Sequence, residues 1–138
     1  MSTLTELRVA LASAVDAMAG ITATALAPAS PRPPCALILP GSPAIEYEQN
    51  FTDTDAWYSF TIRVLVGTEN QQGAQTLLDS FLAPSGASSV RAALTADPTL
   101  GGKAMALRVT QASNYGSFIY GESSYLGAEL SVRVYASQ

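Results

Sequence analysis

Few side chains in this sequence have types and spacing suited to chemistry. Two carboxylate pairs stand out, Glu46 with Glu48 and Asp53 with Asp55. Residues two apart on a strand share a face. Glu46 and Glu48 would then stand side by side, as the paired acids of glycoside hydrolysis do. No other site element accompanies them, and the 138 residues contain no histidine. That absence removes the commonest general base, the Ser-His-Asp and Cys-His nucleophile pairs, and histidine-containing zinc sites. Cys35 is the only cysteine, which excludes an internal disulfide. It lies in the apolar run Cys35-Ala36-Leu37-Ile38-Leu39 and reads as a buried small hydrophobe rather than a reactive thiol. Asp53-Thr54-Asp55 lacks the length and the glycine of a calcium loop. Gly101-Gly102 lacks the Lys-Ser/Thr successor of a phosphate loop. The carboxylate pairs therefore read as solvated edge charges. The sequence calls for no catalytic residue, no metal and no cofactor, and an enzyme is not expected.

Composition points the same way. Hydrophobic residues make up 48% and charged residues 13%, with a formal net charge of −4. The chain is too apolar to be disordered, and its charge is light for the surface of a monomer. A surface covered by a partner would explain the second observation. No Lys/Arg cluster exists, so a phosphate-binding groove is not expected. The start, Met1-Ser2-Thr3-Leu4, has no basic region followed by an apolar run. No apolar stretch approaches the roughly 20 residues of a membrane span. The expectation is a protein made and used in a cytoplasm, or in something assembled there.

Several elements must position these residues. Leu4, Leu7, Leu11, Val15 and Met18 recur at spacings of three and four, which predicts a helix over 3–19 with a core-facing stripe. Thr3 and Glu6 have capping-box spacing, and Gly20 is a plausible stop. A short strand is expected within 21–26. Pro28-Ala29-Ser30-Pro31-Arg32-Pro33-Pro34 follows as a stiff extended loop. Residues 35–39 read as a buried strand ended by Pro40-Gly41-Ser42-Pro43. Residues 44–49 read as a second, half-buried strand, with Ile45 and Tyr47 on one side and Glu46 and Glu48 on the other. The tip Asn50-Phe51-Thr52-Asp53-Thr54-Asp55 turns into the clearest strand, 57–66. There Tyr58, Phe60, Ile62, Val64 and Val66 alternate with Trp57, Ser59, Thr61, Arg63 and Leu65. These two strands predict a long β-hairpin.

A helix is expected over 70–83, with Leu77, Leu78, Phe81 and Leu82 on one face and Pro84-Ser85-Gly86 ending it. Ser88 or Ser89 caps a further short helix through Val90, Ala93 and Leu94, which stops before Asp97-Pro98. A strand over 103–111 sets Met105, Leu107 and Val109 against Ala104, Ala106 and Arg108. Asn114-Tyr115-Gly116 marks a turn or bulge before a short strand at 117–120. The last strand, 126–136, alternates Ala128, Leu130, Val132 and Val134 with Glu129, Ser131, Arg133 and Tyr135. The order predicts one α+β domain over 1–138: a largely antiparallel or mixed sheet, helices packed on one face, and a long hairpin. The other face would carry Glu46, Glu48, Ser59, Thr61, Arg63, Arg108, Glu129, Ser131 and Arg133. Their interleaved signs fit cross-strand ion pairs open to water, or a self-complementary surface between subunits. Tyr115, Phe118, Tyr120, Tyr125 and Tyr135 enrich the C-terminal third in aromatics. Only Arg133 lies near them, so packing or subunit contact explains them better than a platform for single-stranded nucleic acid.

The layout resembles a known family. The N-terminal helix, the proline-rich stretch, the hairpin with Ala44-Ile45-Glu46-Tyr47-Glu48 and Trp57-Tyr58-Ser59-Phe60-Thr61-Ile62-Arg63-Val64-Leu65-Val66, the 71–82 helix and the final alternating strand look like the tail terminator proteins of long-tailed, non-contractile bacteriophages, particularly those of actinobacterial hosts. The likeness spans nearly the whole chain and lies in element order and texture, and no functional residue carries over individually. It implies a hexameric ring of identical subunits in the virion, at the head-proximal end of the tail. The implied partners are the major tail tube protein and the head–tail connector, with genome DNA passing through without specific binding and no membrane involved. Proposed contacts are the tip residues Phe51, Asp53 and Asp55, with Phe51 poorly suited to a water-exposed loop, and the polar-face residues Glu46, Glu48, Arg63, Arg108, Glu129 and Arg133. The alternatives are a head-completion or connector-ring protein of the phage neck, and a small-ligand-binding α+β module of a bacterial cell.

Overall fold

Alternating apolar residues dominate the strand patterns, and the result is a five-stranded sheet with three helices packed on one side. The computed structural model describes residues 4–18, 21–24, 34–47, 55–68, 72–86, 88–120 and 123–137. The elements in order are α1 (Leu4–Asp16), β1 (Thr22–Thr24), β2 (Cys35–Tyr47), β3 (Asp55–Thr68), α2 (Gln72–Leu82), α3 (Val90–Thr95), β4 (Ala106–Tyr120) and β5 (Ser123–Ser137). The strand order is β1-β2-β3-β5-β4. The short β1 runs parallel to β2, and the three other pairings are antiparallel. The fold is thus α+β, as the order of patterns predicts.

Each helix buries the stripe its spacing dictates. Leu7, Leu11 and Val15 of α1 are buried, and Leu4 and Met18 pack at the margins of the same core. The helix ends at Asp16, short of the expected 19. The Asp16 carboxylate accepts the Ala23 backbone N–H at 3.1 Å, which ties the helix end to β1. Ser89 is the N-cap of α3: its hydroxyl accepts the Ala92 N–H at 3.0 Å and donates to the Ala83 carbonyl. A buried serine is stable there because both of its hydrogen-bonding roles are filled. In α2, Ala74, Leu78 and Phe81 face the core, at spacings of four and three. Leu77 does not join them as expected. It sits about 100° around the helix from Leu78 and lies exposed at the margin. The helices share one core with Tyr58, Phe60, Ile62, Val64 and Val66 of β3 and with Ala128, Leu130, Val132 and Val134 of β5.

Three expectations about the strands need correction. The two strands expected at 35–39 and 44–49 are one element, β2. Its pairing with β3 shifts between Pro40 (opposite Phe60) and Ile45 (opposite Tyr58), so Gly41-Ser42-Pro43-Ala44 bulges against Ser59 alone. A bulge accommodates Pro40, which has no N–H to give the ladder. Gly41 is needed because a Cβ there would lie 2.8 Å from that of Ser59. Second, β4 continues through Asn114-Tyr115-Gly116, and the strand expected at 117–120 is its far end. The register slips there and again at Thr110, and Asn114 adopts φ 55°. Of the two readings of this segment, turn or bulge, the structure has the bulge. Third, β4 starts at Ala106, so Met105 falls before the ladder and is exposed while Ala104 is buried. Tyr47 is on the helix-covered side by register, yet it is 77% exposed, while Ala56 opposite it is buried. The cap at Thr3, the stop at Gly20, most of the proline-rich run, and the tip residues Glu48, Phe51 and Asp53 lie outside the described residues.

Candidate functional site

Directly paired residues of neighbouring strands point to the same face. The rows of side chains opposite the helices follow from the register. At the end near the hairpin tip stand Glu46, Trp57, Tyr135 and Ala106. The next row holds Ser59, Arg133 and Arg108. Then come Leu39, Thr61, Ser131 and Gln111, followed by Leu37, Arg63, Glu129 and Ser113. Cys35, Leu65, Gly127 and Gly116 end the series.

The electrostatics follow this order. Arg63 donates to Glu129 Oε2 from both Nε (3.1 Å) and Nη2 (2.8 Å). The other oxygen of Glu129 accepts from the Asn114 amide at 2.6 Å. The two charged side chains are 26% and 13% exposed. Nearer the tip, Arg133 reaches across β3 to Glu46 at 3.2 Å, with exposures of 40% and 51%. Its guanidinium lies 4.6 Å over the Trp57 ring, and Trp57 packs on Tyr135 with ring centres 4.9 Å apart. The first pair is shielded and saturated with partners. The second is open to water, where such a pair contributes about 0–1 kcal/mol. Arg108 stands opposite Arg133 in register, and facing like charges repel. Arg133 turns toward Glu46, while Arg108 lines a groove at the free edge of β4.

The far end of the face is apolar. Cys35, Leu37 and Leu65 are buried there, with Leu39, Phe118 and Tyr125 packed against them. No helix covers them, so the strands must do it themselves. Gly127 makes that possible. A Cβ at Gly127 would meet the Val64 carbonyl oxygen at 2.4 Å, Leu65 Cδ2 at 2.7 Å and Phe118 Cδ2 at 3.1 Å. Without one, Phe118 and Leu65 close over the backbone, and Arg63 caps Phe118 at 4.6 Å.

Between the two ends lies a groove of about 260 Å³, lined by Gly41, Ser59, Thr61, Thr110, Ser131 and Arg133 among others. Its four hydroxyls, with the Glu46–Arg133 pair at one end, suit water or the polar groups of a partner. Glu46 and Glu129 on this face are occupied by arginines. Among the described residues no three His, Cys, Asp or Glu side chains converge as metal ligands. The titrating groups that are displaced lie away from it. Burial raises the Tyr58 phenol, with Tyr47 adding to the effect. Tyr115 is raised by burial and by donating to Asp79 Oδ1 at 2.8 Å.

The structure therefore brings together Glu46 with Arg133 and Arg63 with Glu129, and leaves Arg108 apart from both. Asp55 opens β3, with Ser137 opposite it. Glu48, Phe51 and Asp53 lie outside the described residues. Sequence reasoning missed Asn114 as the second partner of Glu129 and missed the apolar cluster. Leu65 on the polar side of β3, with Phe118 and Tyr125 near a glycine, was the available signal. No family model matches the chain, and no curated protein matches it significantly. No helix among the described residues is long and apolar enough to cross a membrane.

Proposed function

We propose that this chain is a tail terminator subunit of a long-tailed, non-contractile bacteriophage. In this reading copies of it form a ring on the end of the tail tube, stop the tube's growth and join it to the head connector. The ring has no reaction to perform, and its weakly acidic character lets DNA pass without gripping it. The observation that carries the reading is the open sheet face. It spans strands of 13 to 15 residues, is covered by helices on one side only, and is held by its own ion pairs. Such a face keeps its shape without a partner and leaves its edges and tip for assembly. The order of elements, with the long β2–β3 hairpin and the terminal alternating β5, supports the same reading. Immunogold labelling of purified virions tests it. Label is expected at the head-proximal end of the tail. Label at the neck on tailless capsids would favour a connector-ring protein, and absence from virions would exclude both.

A further inference from the structure

The free edge of β4 carries a groove of about 500 Å³ whose lining includes Leu82, Pro84, Arg91, Arg108, Val109 and Ala112. Its wall is mostly apolar, with Thr110 and Gln111 the polar exceptions, and two arginines stand at its rim. Arg91 donates to the Pro84 carbonyl at 3.2 Å, and neither arginine forms an ion pair among the described residues. The arginines that share the open face with Arg108, Arg63 and Arg133, are already matched to carboxylates. The groove thus suits a short segment with an apolar side chain between acids. A segment of this sequence has that character and lies beyond the strand ends: Glu48-Gln49-Asn50-Phe51-Thr52-Asp53-Thr54, at the tip between β2 and β3. We infer that the groove receives this tip from a second copy of the chain, with Phe51 against Val109 and Ala112 and the acids beside Arg91 and Arg108. This deepens the proposed function, since it specifies the contact by which copies join.

The backbone of the chain's own tip falls short of the groove. Seven residues spanning the adjacent ends of β2 and β3 extend at most about 13 Å from them. The groove's middle, at Val109, is in register with Val132 and Phe60. It lies two strands across and five residues along from Asp55, about 20 Å away. The donor and acceptor surfaces also differ, so the contact is head-to-tail, the type that closes into rings. The two bulges in β4 interrupt its edge, so side chains seated in the groove, rather than a long added strand, would form the contact.

Cysteine cross-linking tests this in full-length protein with Cys35→Ala as background. One chain carries Phe51→Cys and the other Ala112→Cys, and the two are mixed and mildly oxidised. The expected heterodimer yield is about tenfold above that of Phe51→Cys mixed with Val9→Cys on the exposed side of α1. Gln111→Cys replaces Ala112→Cys if the latter misfolds. Arg108→Glu should lower the yield several-fold, and Asp53→Arg in the other chain should restore it. Yields equal to the control, no dependence on charge, or a disulfide closing within one chain that carries both cysteines would each overturn the inference. Cross-linking by a protein absent from virions would uphold this contact and refute the tail role. Tail capping without cross-linking would do the reverse.

Discussion

On the helix-covered side of β3, Tyr58, Phe60, Ile62, Val64 and Val66 are all buried; on the open side of the same strand, Trp57, Ser59, Thr61 and Arg63 are half exposed. The two sets alternate along one backbone, yet they are held by different forces. The covered side is stabilised by apolar area removed from water, about 25 cal/mol per Å². The open side is held by discrete pairs, each worth far less. Stability and surface character are therefore nearly separable in this sheet. Substitutions on the open side change what a partner meets without unfolding the chain. The exception is the apolar cluster at Leu65, where the open side becomes a small core of its own.

This contrast can be broken by experiment. The largest effect is expected from Phe60→Ala, a cavity at the centre of the covered side, which should cost about 3–5 kcal/mol in urea unfolding. Trp57→Ala, three residues along the same strand and opposite in face, should cost less than half of that; equal losses would erase the distinction. Next comes Gly127→Ala. The new methyl must displace the Val64 carbonyl or Leu65, and a loss of about 1–3 kcal/mol is expected. A neutral result would mean that the apolar cluster is not tightly closed. Glu129→Gln should cost about 1–2 kcal/mol, discounted for partial exposure, because Arg63 and Asn114 lose a charged acceptor. Glu46→Gln should cost about 0–1 kcal/mol, and its effect should vanish in 1 M salt. The smallest effect concerns Tyr115. Its folded pKa is raised above the ordinary value near 10. The stability it contributes is therefore complete below that value and is lost as pH rises through the raised one. Melting temperatures of wild type and Tyr115→Phe should converge at high pH and differ slightly at neutral pH.

Much of the covered side was legible in the sequence, because burial imposes strict periods. Leu7, Leu11 and Val15 gave α1, and the alternation at 57–66 and 126–136 gave β3 and β5 with the correct face inward. The short helical pattern pointed to Ser88 or Ser89 as its cap, and Ser89 holds that position. In the sequence pattern, the interruptions split single strands in two. Pro40-Gly41-Ser42-Pro43 and Asn114-Tyr115-Gly116 have turn composition, but the neighbouring strand holds both in the ladder as bulges. Tertiary pairing there outweighs local preference. On the open side, the residue types were legible and their partners were not. Interleaved charges permit several pairings, and only the register decides that Arg63 meets Glu129 while Arg108 meets neither acid. Leu65 breaks the polar alternation of β3 and so leaves a trace, but spacing does not show that Gly127 lets Leu65 and Phe118 close over the backbone.

The account's central claim is that the function resides in surfaces that meet copies of this chain and the end of a tail tube. Electron microscopy of tail tubes polymerised from purified major tail protein, with and without this protein, tests it most directly. The account predicts shortened tubes, each closed at one end by a ring of this protein. Tubes of unchanged length with bare ends would contradict it.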